Sequence, residues 1–184
     1  YLTPYFQLER GKWLTTLSLP LKAERYFSQQ RSFLFFNPST YLRYKLDYHW
    51  TFSLYGSLKR SAGDFSDLYP GLYQTDYRTW RNGNGLFPTN TTQTYNLYGE
   101  YKNTVQEFFI TAALTYSRSN RNTLFEQSVS EDAIVYTRRE LPNHSDSWNL
   151  SSTLSKGIYD WNLKTSLTLL LSRSNGCLLY TSDA

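Results

Sequence analysis

Apolar and polar residues alternate along most of this chain. The clearest run sets Trp161, Leu163, Thr165, Leu167, Leu169 and Leu171 against Asn162, Lys164, Ser166, Thr168, Leu170 and Ser172. Five residues of the first set are apolar and only Leu170 of the second. A period of two marks a strand with one apolar and one polar face. The preceding run does the same more weakly, with Trp148, Leu150, Ser152 and Leu154 on one face and Asn149, Ser151, Thr153 and Ser155 on the other. The short segment Lys156–Asp160, which holds Gly157, joins the two runs as an antiparallel hairpin.

The same unit recurs upstream. Strands are predicted at Leu2–Arg10, Trp13–Ala23, Ser39–Asp47, Trp50–Lys59, Thr92–Tyr101 and Glu107–Arg118. Pro20 interrupts the second and predicts a bulge or break there. Short turns fall at Glu9–Lys12, Asp47–His49 and Lys102–Gln106. They alternate with long connections at Glu24–Asn37, Arg60–Thr91 and Ser119–Asp146, which read as loops. Phe33–Phe36 and Ala133–Arg139 are candidate strand extensions within them. The expected fold is all-β, an antiparallel up-and-down meander of about eight long strands in four hairpins. The strands exceed the usual soluble length of about 5–6 residues and suit a tilted membrane crossing of about 9–11. After each short turn the returning strand opens on an aromatic residue: Trp13, Trp50, Phe108 and Trp161. Aromatics at equivalent heights are expected at a membrane–water interface, because amphipathic rings are stable half in lipid and half in water.

Composition narrows the classes. The 184 residues include 17 Tyr, 11 Phe and 5 Trp, and no Met. The net charge of +4 is scattered, without a basic run of the kind that binds nucleic acid. No apolar run approaches the roughly 18–20 residues of a membrane helix. A mean hydropathy of −0.57 excludes a helical membrane protein. It leaves a β-barrel open, because there only alternate residues face lipid. One cysteine, Cys177, allows no intrachain disulfide. Cys177–Ala184 (CLLYTSDA) has no alternation and reads as a non-native tail resembling a translated sequencing adapter. Residues 1–176 then form the partial barrel. The chain opens at Tyr1 within a strand-like pattern and reads as a fragment, so a missing signal peptide says nothing about location.

A soluble sandwich alternates too. The barrel is favoured by the Thr, Ser, Asn and Lys of the polar faces, by the alternation of short and long connections, and by strand length. Four segments strengthen this: Asn37–Tyr44 (NPSTYLRY), Gly63–Gly71 (GDFSDLYPG), Tyr98–Asn103 (YGEYKN) and Leu154–Gly157 (LSKG). With them, most of residues 1–176 resembles the outer-membrane barrel of Bacteroidetes-type TonB-dependent receptors. The resemblance implies a bacterial outer-membrane location and about 22 strands around a separate plug. It also implies uptake of a nutrient or chelate, driven by the periplasmic TonB system acting on that plug. Outer-membrane lipid and an unknown small ligand would be its partners. The alternatives are a small complete eight-strand outer-membrane protein, or a soluble β-rich surface binding module.

No catalytic constellation is visible, so an enzyme is not expected and neither is a cofactor. His49 and His144 lack metal-ligand spacing, and no phosphate loop or nucleophile motif occurs. The candidate ligand-contact loop is Asp64–Phe87, through Phe65, Tyr69, Tyr73, Tyr77, Arg78, Trp80 and Arg81. Aromatic faces mixed with planar hydrogen-bonding groups suit sugars, peptides or chelates; the same aromatics equally suit folding the loop onto a barrel rim.

Overall fold

The computed structural model describes residues 1–26, 31–63, 71–82, 86 and 88–176. The tail expected at 177–184 lies outside them. The chain divides into two compact units: Tyr1–Lys59, Gln93–Arg118 and Asp146–Ser174 form one, and Arg60–Thr92, Ser119–Ser145 and Asn175–Ala184 the other.

The fold is all-β. Its main sheet is an eight-stranded antiparallel meander. In order across the sheet, the strands are β1 (Tyr5–Arg10), β2 (Trp13–Ser18), β5 (Ser39–Lys45), β6 (Trp50–Ala62), β9 (Thr89–Asn103), β10 (Phe108–Arg121), β13 (Asn143–Ile158) and β14 (Leu163–Gly176). β1 and β14 are its edges, so the sheet is not closed on itself. All eight expected strands are present, but not all are long: β1, β2 and β5 fall short of expectation at six, six and seven residues, whereas β9 has 15 and β13 has 16.

The long connections are not loops. Each holds a hairpin: β3 (Leu21–Tyr26) with β4 (Arg31–Phe36), β7 (Leu72–Asp76) with β8 (Thr79–Asn82), and β11 (Leu124–Val129) with β12 (Ile134–Arg139). The candidate extensions Phe33–Phe36 and Ala133–Arg139 correspond to β4 and β12; the other four, of four to six residues, are too short for a period of two to stand out. Their partners are also remote in sequence. β12 pairs with β8 in parallel, giving a four-stranded sheet in the order β11-β12-β8-β7. Pro20 breaks the second expected strand into β2 and β3, since it lacks an N–H for the ladder. The Pro20 carbonyl still accepts from Asn37 N–H at 3.0 Å, so β3 and β4 continue the β2–β5 hairpin beyond the break.

The short turns have local causes. Gly11 takes φ +58° between β1 and β2, where a side chain would be strained. The Asp47 carboxylate accepts from the N–H groups of His49 and Trp50, at 2.8 and 2.7 Å, and so shapes the β5–β6 turn. These two hydrogen bonds, first the one from Trp50, hold its carboxyl below the ordinary 3.8. The last turn differs from expectation. β13 runs on to Ile158, and Tyr159–Trp161 form a 3-10 turn closed by Asn162 at φ +49°. Trp161 therefore sits in the turn, and β14 opens on Leu163. Gly157 N–H donates to the Glu107 carbonyl at 2.9 Å, and a Cβ at 157 would overlap the Glu107 side chain.

Two outcomes follow from these turns. Asp47 is depressed in the folded state, so its contribution is present above about pH 3.8 and is lost as the pH falls further. The hydrogen-exchange protection factors of His49 and Trp50, taken relative to the intrinsic rate at each pH, should fall only below that pH, and Asp47→Ala should remove their protection at every pH. Gly157→Ala should destabilise the turn end by about 1–3 kcal/mol through overpacking. Pairing it with Glu107→Gly, which also relieves φ +46° at that residue, should restore most of the loss in a denaturant titration.

Candidate functional site

The main sheet has one face that nothing in its own unit covers. Among the described residues, Phe35 in β4 is the one large apolar side chain that is buried, at 7% exposed. Leu54, Leu97, Leu114, Leu154, Leu163, Leu167 and Leu169 are all exposed, Leu167 at 71%. They share one face. Leu42 pairs with Leu54 across β5 and β6. Gly56 lies against Tyr95, Tyr95 against Tyr116, and Tyr116 against Trp148; Ser172 donates to Asn149 at 2.7 Å. Counting along the strands from these contacts extends the Leu42–Leu54 pair through Leu97, Leu114, Leu150 and Leu171 into one row. The opposite face is polar and bonded to itself: Asn96 donates to Thr115 at 2.7 Å, and Thr153 and Thr168 hydroxyls meet at 3.3 Å.

Aromatic rings border this apolar face on two sides. Toward the short turns, Trp13 packs on Tyr44 at 4.3 Å between ring centres, and Tyr44 pairs with Phe52. Trp50 stacks beside Phe52 at 5.7 Å and meets Tyr101 at 4.9 Å; Tyr101 meets Phe108 edge-on at 5.9 Å. Lys156 Nζ lies over the Phe108 ring at 5.9 Å. Toward the long connections, Tyr95, Tyr116 and Trp148 make the second row, at 6.4 and 4.5 Å. Phe52 covers Gly99, and Tyr95 covers Gly56, each about a van der Waals contact away. Three of the four expected interface aromatics, Trp13, Trp50 and Phe108, therefore belong to a continuous aromatic border. Trp161 does not join it, and stands 77% exposed in its turn.

The starts of the returning strands are regularly staggered. Trp13 is aligned through Tyr44 with Phe52, but β6 starts two residues earlier, at Trp50. Trp50 is aligned through Tyr101 with Ile110, but β10 starts two earlier, at Phe108. Phe108 is aligned through Lys156 with Thr165, whose hydroxyl donates to the Lys156 carbonyl at 3.2 Å, but β14 starts two earlier, at Leu163. One residue per strand is about 3.3 Å of rise for each step of about 4.8 Å, a slope of roughly 35°. Barrel strands tilt by about 35–45°. From Phe108 to Tyr116 is about 26 Å of strand, or roughly 21 Å of height at that slope. A membrane barrel has an apolar band about 25 Å tall.

The candidate ligand loop lies in the second unit. Phe65 and Tyr69 fall outside the described residues, as do Asp64, Asp67 and Phe87. The five others are brought to one hairpin but not to one surface. Tyr73 and Arg81 are partners across β7 and β8, while Trp80 lies on the opposite face, beside Val135. Tyr77 stands 87% exposed at the hairpin tip. Arg78 is engaged structurally: its guanidinium donates to the carbonyls of Glu131 and Asp132, and its own carbonyl accepts from Ile134 at 2.7 Å. Three residues of the third connection, Ser119–Asp146, join Tyr73 and Arg81. Phe125 carries the Arg138 guanidinium at 4.4 Å and that of Arg81 at 5.7 Å, and Tyr136 meets the same ring edge-on at 6.4 Å. Arg138 is 7% exposed and donates to Thr123 at 3.3 Å. Alternation through Phe125, Tyr136 and Arg138 was the available signal, but their pairing with β8 depends on a contact from another part of the chain.

A separate cavity of about 300 Å³ lies at the short-turn end, lined by Glu107, Phe109, Lys156 and Lys164 among others. Lys156 there already donates to the Gln106 carbonyl at 2.7 Å. Among the described residues no group of His, Cys, Asp and Glu is arranged to hold a metal. No described helix is long and apolar enough to cross a membrane, which leaves crossing by strands untouched. No protein-family model, curated protein or solved structure matches the chain.

Arg78→Ala should unfasten the two connections from each other. Hydrogen exchange should rise in Leu72–Asn82 and at Ile134, while β6 and β10 below their ends keep their protection.

Proposed function

We propose that this chain is part of a bacterial outer-membrane β-barrel whose uncovered apolar face meets lipid. The observation that carries the reading is that face: an eight-stranded sheet leaves its leucines exposed between two aromatic rows. In water such a surface far exceeds the few hundred Å² of apolar patch that a soluble monomer exposes. In lipid it needs no protein partner, and the rings at its borders suit the interface. The staggered strand starts support the same reading, because a barrel requires tilted strands.

Within that class, the cues at Asn37–Tyr44, Tyr98–Asn103 and Leu154–Gly157 favour a TonB-dependent receptor that takes up a nutrient or chelate. Its energy would come from the periplasmic TonB system acting on a plug. The polar face, with Lys164, Ser166 and Thr168, lines the lumen. The surface built from Tyr73, Arg81, Phe125 and Tyr136 is the ligand-contact candidate, and no step of catalysis is assigned. The strand count also suits a small complete barrel. The edges weigh against it, because β1 has six residues and β14 has fourteen, so β1 could cover less than half of β14.

Leu167→Arg should impair insertion into detergent micelles or vesicles far more than Ser166→Arg. A charge on the lipid side near the bilayer midplane costs roughly 2–4 kcal/mol, whereas one in the lumen is hydrated. Heat-modifiable gel migration reads both. Equal effects, or a wild-type chain that stays dispersed without detergent, would remove the lipid-facing assignment.

A further inference from the structure

The returning strands repeat a detail beyond their apolar ladder. On β6, β10 and β14 the residue ten positions after the first is an arginine: Trp50 leads to Arg60, Phe108 to Arg118, and Leu163 to Arg173. Ten is an even step, so each arginine lies on the apolar face of its strand, two residues beyond Leu58, Tyr116 or Leu171. Because the strand starts are staggered by one residue per strand, the equal count puts Arg118 and Arg173, both in the first unit, at one level of the tilted sheet. The first hairpin departs from the pattern: Pro20 ends the regular strand, and the tenth position is Ala23.

The geometry points to Arg118 and Arg173 as a binding site for the phosphate of an anionic membrane lipid, in the leaflet at the long-connection end. This rests on the membrane reading above. The two arginines flank β13. Arg118 Nε lies 3.8 Å from the Asp146 carboxylate, and Asp146 also accepts from the Tyr116 hydroxyl at 2.7 Å. Counting from the Ser172–Asn149 bond places Arg173 opposite Trp148. Arg118 thus stands two residues beyond Tyr116 of the aromatic row, and Arg173 stands beside Trp148 of the same row, on the lipid side of the sheet. The Arg118 side chain keeps 43% of its surface exposed while it is paired with Asp146, which keeps 23%. With two guanidiniums and one carboxylate, the group carries net positive charge beside an apolar surface. A lipid phosphate complements both parts, with its oxygens on the guanidiniums and its chains along Leu114, Leu150 and Leu171. A free anion would use only the first.

The test is native mass spectrometry of the full chain in detergent micelles doped with dioleoyl phosphatidic acid or with dioleoyl phosphatidylcholine. The wild type should retain the phosphatidic acid preferentially, and Arg118→Gln/Arg173→Gln should lower that retention about tenfold or more while heat-modifiable migration is kept. Arg118→Lys/Arg173→Lys, which keeps charge but loses the planar fork, should fall between. Equal retention of both lipids, or an unchanged preference in the glutamine variant, overturns this site and leaves the barrel intact. Displacement of the lipid by millimolar inorganic phosphate would make it a free-anion site and also overturn the proposal. A chain that needs no detergent overturns both readings together.

Discussion

An alternating strand makes two faces, and each must be given a medium it suits. In the main sheet the polar face satisfies itself through Asn96–Thr115 and Thr153–Thr168 and can stand in water. The other face presents leucines on strand after strand with no layer of protein over it. At about 25 cal/mol for each Å² of apolar surface, leaving it wet would forfeit the stabilisation that its burial supplies. On the proposed membrane reading, an apolar medium on that side accounts for Phe35 being the one large apolar side chain buried among the described residues, and for rings placed at both borders of the apolar band.

The glycines follow from the same requirement. Gly56 and Gly99 would leave gaps in the apolar face, and Tyr95 and Phe52 lie across them from neighbouring strands. Each ring restores contact where a side chain is missing and helps to fix register. Charge is kept to the borders. Lys156 sits over the Phe108 ring at the short-turn side, and at the other side Arg118 lies just beyond the second aromatic row and Arg173 beside its Trp148. Between those limits the apolar face of β10 carries Ile110, Ala112 and Leu114.

The connections obey a different logic. Each builds its own hairpin, and two of them share a sheet through the parallel pairing of β8 with β12. Arg78 ties the same two segments through backbone carbonyls. Of the residues expected to contact ligand, this structural use takes Arg78, and the two faces of the sheet separate Trp80 from Arg81. Phe125 and Arg138, more than forty residues away in sequence, become neighbours of Arg81 instead.

The sequence alone determined the eight strands of the main sheet, their meander order, the faces of each and the positions of Trp13, Trp50 and Phe108. All of these follow from a period of two and from local turns, which neighbouring residues decide. It also carried the break at Pro20, because a missing N–H acts where it stands. The tertiary structure decided the hairpins inside the connections, the place of Trp161 in a turn, and the company that Arg81 keeps. Short strands have too few residues for a period to register, and a pairing such as Val135 with Trp80 joins segments that no local pattern links. The stagger of the strand starts lay between the two. Its arginines stand in the sequence at equal counts, but only the pairing of each strand with the next gives that count a height.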